Sequence, residues 1–120
     1  MATPNIVNVA TITPFLYNGA ITTGNTEIVD VAAEYTAKIN SLWIANIDGT
    51  NSATVTVSVS TDNGSNYHAI ASTVAVPADA TLMLIDKNNA FYMDETDLLR
   101  IVGSANGDLT YLVSGEKITD

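Results

Sequence analysis

Apolar and polar residues alternate strictly in several parts of the chain, most clearly over residues 54–60, where valine alternates with threonine and serine. Because side chains of a strand point to opposite faces with a period of two, this pattern predicts a half-buried β-strand. Asn63 and Gly64 follow it, and this pair supplies the positive φ values that a hairpin turn requires. We therefore predict a hairpin whose return strand covers residues 66–72.

Short segments of the same kind, separated by turn residues, continue along the rest of the sequence, and helix signals are nearly absent. The predicted strands lie near residues 6–13, 26–33, 36–47, 54–60, 66–72, 80–86, 98–104 and 109–117. About eight short strands at regular spacing are typical of an antiparallel β-sandwich or jelly roll, and an up-and-down barrel stays open as an alternative. We predict an all-β protein with an N-terminal arm over residues 1–5 and a single sandwich domain over residues 6–120.

The apolar positions of these strands also predict a core. One face of the strand at 36–47 would carry Ile39, Trp43, Ala45 and Ile47. The predicted core consists of Ile39, Trp43, Val55, Val57, Val59, Leu82, Leu84, Ile101, Tyr111 and Val113. In this prediction Trp43 is a large core aromatic, whose replacement by alanine would cost about 3–5 kcal/mol.

The charge balance restricts the possible partners. The chain has 120 residues, with thirteen acids against four bases and a formal charge of −9. Binding to nucleic acid or to an anionic membrane needs clustered Lys and Arg, so we expect neither as a partner. No apolar run approaches the length of a membrane span, and the N-terminus has no signal-peptide pattern. Cysteine is absent, which excludes disulfides and thiolate chemistry.

Few residues suggest chemistry. His68 is the single histidine, and no nucleophile motif accompanies it, so we predict no catalytic residues, no cofactor and no enzymatic activity. Asp94, Glu95 and Asp97 form an acidic turn. Hard oxygen donors of this kind can bind calcium, but their spacing matches no EF-hand loop, and aspartates in turns commonly bind local backbone. These three acids are retained only as weak calcium candidates.

Aromatic residues offer a second possibility. Trp43, Tyr67, Phe91, Tyr92 and Tyr111 could form a platform for sugar, although most of them lie on apolar strand faces, where packing in the core is favoured. The candidates for subunit contacts come from the N-terminal part of the chain, where the periodicity is weak. They are Pro4 and Asn5 in the arm, and Pro14, Phe15 and Tyr17 beyond it.

Three segments carry a resemblance to a family: 39–50, which ends in Asn-Ile-Asp-Gly-Thr; 74–82, with Val-Pro-Ala-Asp-Ala-Thr-Leu; and 91–101, with Asp-Glu-Thr-Asp-Leu-Leu-Arg. They resemble small β-sandwich virion structural proteins of tailed bacteriophages, especially phages of marine bacteria and cyanobacteria. The similarity extends over most of the chain from about residue 36. Its motifs are turn and strand patterns, so it transfers no catalytic residue.

The resemblance implies a structural role in a virus particle that is assembled in the host cytoplasm. The first expectation is a capsid decoration (cement) protein that stabilises the phage head. It would contact the major capsid protein or other virion proteins and form a homo-oligomer, with a trimer favoured. A neck, tail or fibre-base component is the alternative, and a carbohydrate-binding module is a further one. A hydrolase using the acidic turn ranks last.

Overall fold

The computed structural model describes residues 11–119, which form nine β-strands and no helix. The strands are β1 (Thr11–Ile21), β2 (Thr26–Asp30), β3 (Thr36–Asn46), β4 (Ala53–Ser60), β5 (His68–Val76), β6 (Thr81–Ile85), β7 (Phe91–Met93), β8 (Leu98–Gly103) and β9 (Leu109–Thr119).

The strands build two antiparallel sheets. A five-stranded sheet has the order β1-β9-β3-β6, with β7 also pairing with β3, and a four-stranded sheet has the order β2-β8-β4-β5. Apolar side chains from both sheets meet in one core. The predicted antiparallel sandwich is therefore confirmed.

Several strands of the described residues differ in extent from the predicted ones: for example, β2 ends at Asp30 and β5 covers His68–Val76. The arm at 1–5 and half of the strand predicted at 6–13 lie outside the described residues. Within them, β1 continues to Ile21, because its polar and apolar residues pair with β9 in unbroken register although their periodicity is weak. The three-residue strand β7 was not predicted, since so short a segment carries no period. The hairpin is confirmed, with Asn63 and Gly64 both at positive φ, although seven residues separate its strands.

An extra residue in β3 reverses which of its side chains face the core. Ile39 pairs with Gly115 of β9 and Ser41 pairs with Ser114, so Asn40 has no partner position and forms a β-bulge. Before the bulge the buried side chains include Ile39, and after it they are Leu42, Ile44 and Asn46. A single inserted residue moves every following side chain to the opposite face.

The bulge overturns part of the predicted core. Trp43 is 45% exposed and lies on the outer face of the five-stranded sheet, and Ile47 is exposed as well. A uniform period of two, extended from Ile39, gives the wrong face beyond Asn40. Five predicted core residues are buried: Ile39, Val55, Val57, Ile101 and Val113. Four others, Val59, Leu82, Leu84 and Tyr111, are partly buried and pack against that core.

Gly115 permits the close approach of β3 to β9 beside the bulge. A Cβ atom at this position would overlap the carbonyl oxygen of Lys38 and would lie 2.9 Å from Cζ of Phe15. Phe15 pairs with Gly115 on the other side of β9 and is buried. The space above the glycine is thus filled by backbone from one neighbouring strand and by a ring from the other.

Replacing Gly115 with alanine should therefore destabilise the fold by about 3 kcal/mol or more, because the overlapping atom belongs to backbone, which cannot rotate away. Chemical denaturation measures the free energy of unfolding. Gly24→Ala is the matched control, since its added methyl group would meet only the Thr22 hydroxyl at 3.7 Å. Equal stability of the two variants would contradict the packing described here.

Because of the bulge, we expect alanine substitutions at two adjacent residues to have opposite effects on stability, one large and one small. Leu42 is fully buried, so Leu42→Ala should cost about 2–5 kcal/mol. Trp43 is half-exposed, so Trp43→Ala should cost about 1 kcal/mol or less. Denaturation at low protein concentration checks both values. A larger loss at Trp43 than at Leu42 would restore the uninterrupted period and remove the bulge.

Candidate interaction surfaces

Acidic side chains hold several turns in place. In the β4–β5 turn, Asp62 accepts hydrogen bonds from the Ser60 hydroxyl and from the backbone N–H and side-chain amide of Asn66, each at 2.8 Å. Asp48 accepts from the backbone N–H groups of Thr50 at 2.8 Å and Asn51 at 3.2 Å. These acids replace the backbone partners that a turn lacks.

The predicted calcium candidates lie in the turn between β7 and β8. The Asp94 N–H donates to Asp97 Oδ2 at 2.8 Å, and the Glu95 N–H donates to Asp94 Oδ1 at 2.8 Å. Glu95 itself accepts from the Glu34 N–H at 2.7 Å, which joins this turn to the β2–β3 connection. Each carboxylate therefore accepts a backbone N–H. Among residues 11–119 no group of three or more acids or histidines is arranged to hold a metal ion.

Asp97 differs from the other turn acids because it is buried. Burial raises the pKa of this carboxyl, and the nearby charge of Asp94 adds to the increase, while a hydrogen bond from the Asp94 backbone opposes it. The Val31 N–H donates to the Asp97 carbonyl at 3.1 Å, so the turn is held against β2 by backbone as well. The acidic turn thus fixes the end of the sandwich, and calcium binding there stays an untested prediction.

The described contact candidates lie on β1, which is an edge strand of the five-stranded sheet. Pro14 is exposed. Phe15 and Tyr17 point between the sheets, with ring centroids 4.9 Å apart, and Lys117 Nζ lies 5.4 Å from the Tyr17 ring centroid. Pro4 and Asn5 lie outside the described residues. The structure therefore places Pro14 and its neighbour Leu16 on the outside, and leaves subunit contact at β1 as a prediction.

A cavity of about 390 Å³ opens beside these rings, between the edges of the two sheets. Its walls combine apolar side chains such as Val29, Val31 and Ala37 with two charged groups, Asp30 and Lys117. Phe15 and Val29 belong to the core cluster and Tyr17 packs against it, so the cavity is a gap at the rim of the core.

The outer face of the five-stranded sheet carries a row of side chains that sequence reasoning missed. Asn18, Leu112, Trp43 and Met83 occupy matching positions on β1, β9, β3 and β6. We call these four residues the Trp43 row. Trp43 and Met83 are exposed, as is Leu16 two residues before Asn18 on β1. The sequence pattern does not reveal the bulge at Asn40, and without this bulge Trp43 would face the core.

The basic residues are spread over different surfaces. Lys38 lies on the outer face of the five-stranded sheet, with its Nζ 5.8 Å from the Tyr92 ring centroid. Arg100 lies on the four-stranded sheet, where its guanidinium is 3.6 Å from the centroid of Tyr67, whose hydroxyl donates to Glu27 at 3.1 Å. Both basic side chains thus make cation–π contacts with neighbouring aromatic rings. No basic cluster forms in the part of the chain that the structure describes.

Other predicted features are separated in space. His68 is exposed at the start of β5, and no catalytic partner for it is identified among the described residues. Trp43 and Tyr92 are exposed on the same sheet face. Tyr92 is opposite Lys38, which precedes Trp43 by five residues on β3. Residues 11–119 contain no helix, and therefore no helix that could cross a membrane.

Comparison with known proteins extends the description of the fold. No protein-family model matches the chain, and no curated protein sequence matches it significantly. A structure from Bacillus endospore appendages, which form disulfide-linked pili, is similar with a TM-score of 0.55 and 14% identity over 91% of this chain and 87% of that chain. This likeness shows the fold alone.

Two further solved structures are similar at lower scores. The core of Drosophila NLP, described with pentamer formation and histone binding, has a TM-score of 0.48 at 13% identity, covering 84% of this chain and 96% of that chain. A pentameric capsid protein from metagenomic phage sequences has a TM-score of 0.40 at 14% identity, covering 87% of this chain and 60% of that chain.

Asp62 yields a prediction for pH. Its hydrogen bonds, first that from the Asn66 side chain, lower its pKa to about 2 from 3.8. A depressed folded-state pKa means that the ionised carboxylate stabilises the fold above the unfolded pKa, and that this contribution disappears as the pH falls through the folded value. Asp62→Ala should therefore be less stable than the wild type at pH 7, with a difference that shrinks between about pH 4 and pH 2.

Urea denaturation across this pH range measures that difference. Asp30→Ala is the control, because Asp30 is exposed at the end of β2 and its carboxylate does not hold a turn. A loss of stability at Asp62→Ala that stayed constant down to pH 2 would contradict the assigned hydrogen-bond network.

Proposed function

We propose that this chain is a non-enzymatic structural subunit of a bacteriophage virion, and that it serves as a capsid decoration (cement) protein on the head. The observation that carries the proposal is the exposure of the apolar side chains Leu16, Trp43 and Met83 on one sheet face, on a chain whose turn acids hold its loops. Exposed apolar surface of this kind is suited to contact with other protein. Its site of action would be the virion, after assembly in the host cytoplasm.

The resemblance to phage virion proteins supports the same role. Its three segments correspond to β3 with the following turn, to the β5–β6 connection, and to β7 with the acidic turn and β8. Trp43 lies in the first of them, and the backbone-capping acids Asp94 and Asp97 lie in the third. The shared patterns thus coincide with an outward-facing strand and with the turns that rigidify the sandwich.

Charge suggests the nature of the larger partner. With a formal charge of −9, the chain is attracted to a shell that presents basic residues outward. The partner would be the major capsid protein or another virion protein. Because such attraction is screened by ions, docking on the particle should weaken as salt rises.

Contacts between subunits would be non-covalent. The similar endospore appendage structure belongs to disulfide-linked pili, whereas this chain has no cysteine. We propose that the arm with Pro4 and Asn5, and the exposed β1 positions Pro14 and Leu16, lie at contacts with neighbouring subunits. Uncharged polar and apolar side chains lose less hydration energy at such contacts than charged ones.

Rebinding to purified particles tests the proposal. Particles stripped with salt or chelator should take up recombinant chain, and chain lacking residues 1–5 should rebind more weakly. A chain with residues 1–5 permuted controls for length. Absence of the protein from purified virions would end the proposal, and normal rebinding by the truncated chain would remove the arm from it.

Copy number separates decoration from the alternative of a neck, tail or fibre-base component. Decoration follows the symmetry of the shell and gives on the order of hundreds of copies, whereas neck and tail rings give about six or twelve. Quantitative gel analysis or a particle reconstruction measures this number.

A further inference from the structure

Large apolar side chains are exposed on the outer face of the five-stranded sheet, around the Trp43 row. Leu16 is 59% exposed, Trp43 45% and Met83 61%, and all three lie on the outer face of the five-stranded sheet. Leu112 stands beside Trp43 in the same row and is half-buried. Leu112, Trp43 and Met83 are direct neighbours on three adjacent strands, and Leu16 lies close by on β1. Apolar residues on the surface of a monomer are more often scattered singly.

This face is also nearly free of net charge. Lys38 and Glu116 are its charged residues, and they occupy partner positions on β3 and β9, so their charges offset each other. The four-stranded sheet carries Glu27 and Asp30 against Arg100, and the turns hold most of the other acids. Copies that each carry −9 repel one another, and the repulsion is smallest where both surfaces are neutral.

The size of the face indicates how tightly it can bind. Four strands spaced about 4.8 Å apart and about seven residues long give a patch of roughly 450 Å². Two such surfaces bury about 900 Å² together, which is less than the roughly 1,200–2,000 Å² of stable specific interfaces and is typical of weak, transient ones. We therefore expect association with dissociation constants on the order of micromolar rather than nanomolar.

We infer that the outer face of the five-stranded sheet, centred on Trp43, is covered by a second copy of this chain. The inference deepens the proposed contacts between subunits and rests on that part of the proposed function alone. It concerns the free chain in solution. A neutral apolar face suits a second copy of an acidic chain, whereas a basic shell is attracted to the acids elsewhere.

Trp43 reports directly on this contact, because it is the single tryptophan. On concentration through the micromolar range, its emission should move to shorter wavelength and acrylamide should quench it less. Sedimentation should show the mass of a dimer over the same range, because a face that binds its own copy closes as a two-fold pair. Added salt should strengthen or preserve association, because it screens repulsion between the acidic copies.

Two variants place the contact on this face. Met83→Asp introduces a charge opposite Trp43 on β6, and Leu16→Asp introduces one on β1, two residues from Asn18. If one variant impairs folding, the other remains. Each should weaken association by at least about tenfold, which corresponds to about 1.4 kcal/mol, while circular dichroism stays that of the wild type. Ile70→Asp is the control: Ile70 is 47% exposed on β5 of the other sheet, and this variant should associate normally.

Two results would overturn the inference: a chain that sediments as a monomer at every concentration with Trp43 fully quenchable, or Met83→Asp and Leu16→Asp chains that associate like the wild type. Particle binding by a chain that never self-associates would contradict this inference and leave the proposed function standing. Self-association without any presence in virions would do the reverse.

Discussion

The close contact between β3 and β9 at Gly115 determines which side chains of β3 face the core and which face outward. Because the glycine has no Cβ, the Lys38 carbonyl can lie against it, and the ring of Phe15 closes the space from the other side. β3 continues past this point only by including Asn40 as an extra residue. One backbone contact thus determines which side chains of the central strand β3 face the core. It decides that Leu42 enters the core and that Trp43 leaves it.

The sequence predicted the architecture well because period and turn chemistry are local properties. The β4 alternation, the positive φ at Asn63 and Gly64, and the antiparallel sandwich all followed from neighbouring residues. The phase of β3 could not be predicted in this way. It depends on how residues 39–41 meet Gly115, which is some seventy-five positions distant in the chain. The error at Trp43 was therefore an error of register, and every residue between the bulge and Ile47 shared it.

The features of the candidate surfaces also divide into those that neighbouring residues predict and those that depend on pairing between distant strands. Turn acids such as Asp94 and Asp97 could be interpreted locally as groups that bind nearby backbone, and the hydrogen bonds have this form. The placement of Phe15 and Tyr17 between the sheets needed the pairing of β1 with β9, which weak periodicity did not reveal. The Trp43 row needed both sheet order and register, since its four residues come from four strands and are adjacent only after folding.

Pro14 has a consequence for how such a molecule can grow into larger structures. It lies within β1, an edge strand of the five-stranded sheet, and proline has no N–H to offer an incoming strand. A continuous ladder along this edge would lack a hydrogen-bond donor at Pro14, which discourages endless edge-to-edge stacking of the kind found in amyloid fibres. Assembly would then proceed through side-chain surfaces, whose geometry can close on itself and stop at a finite number of copies.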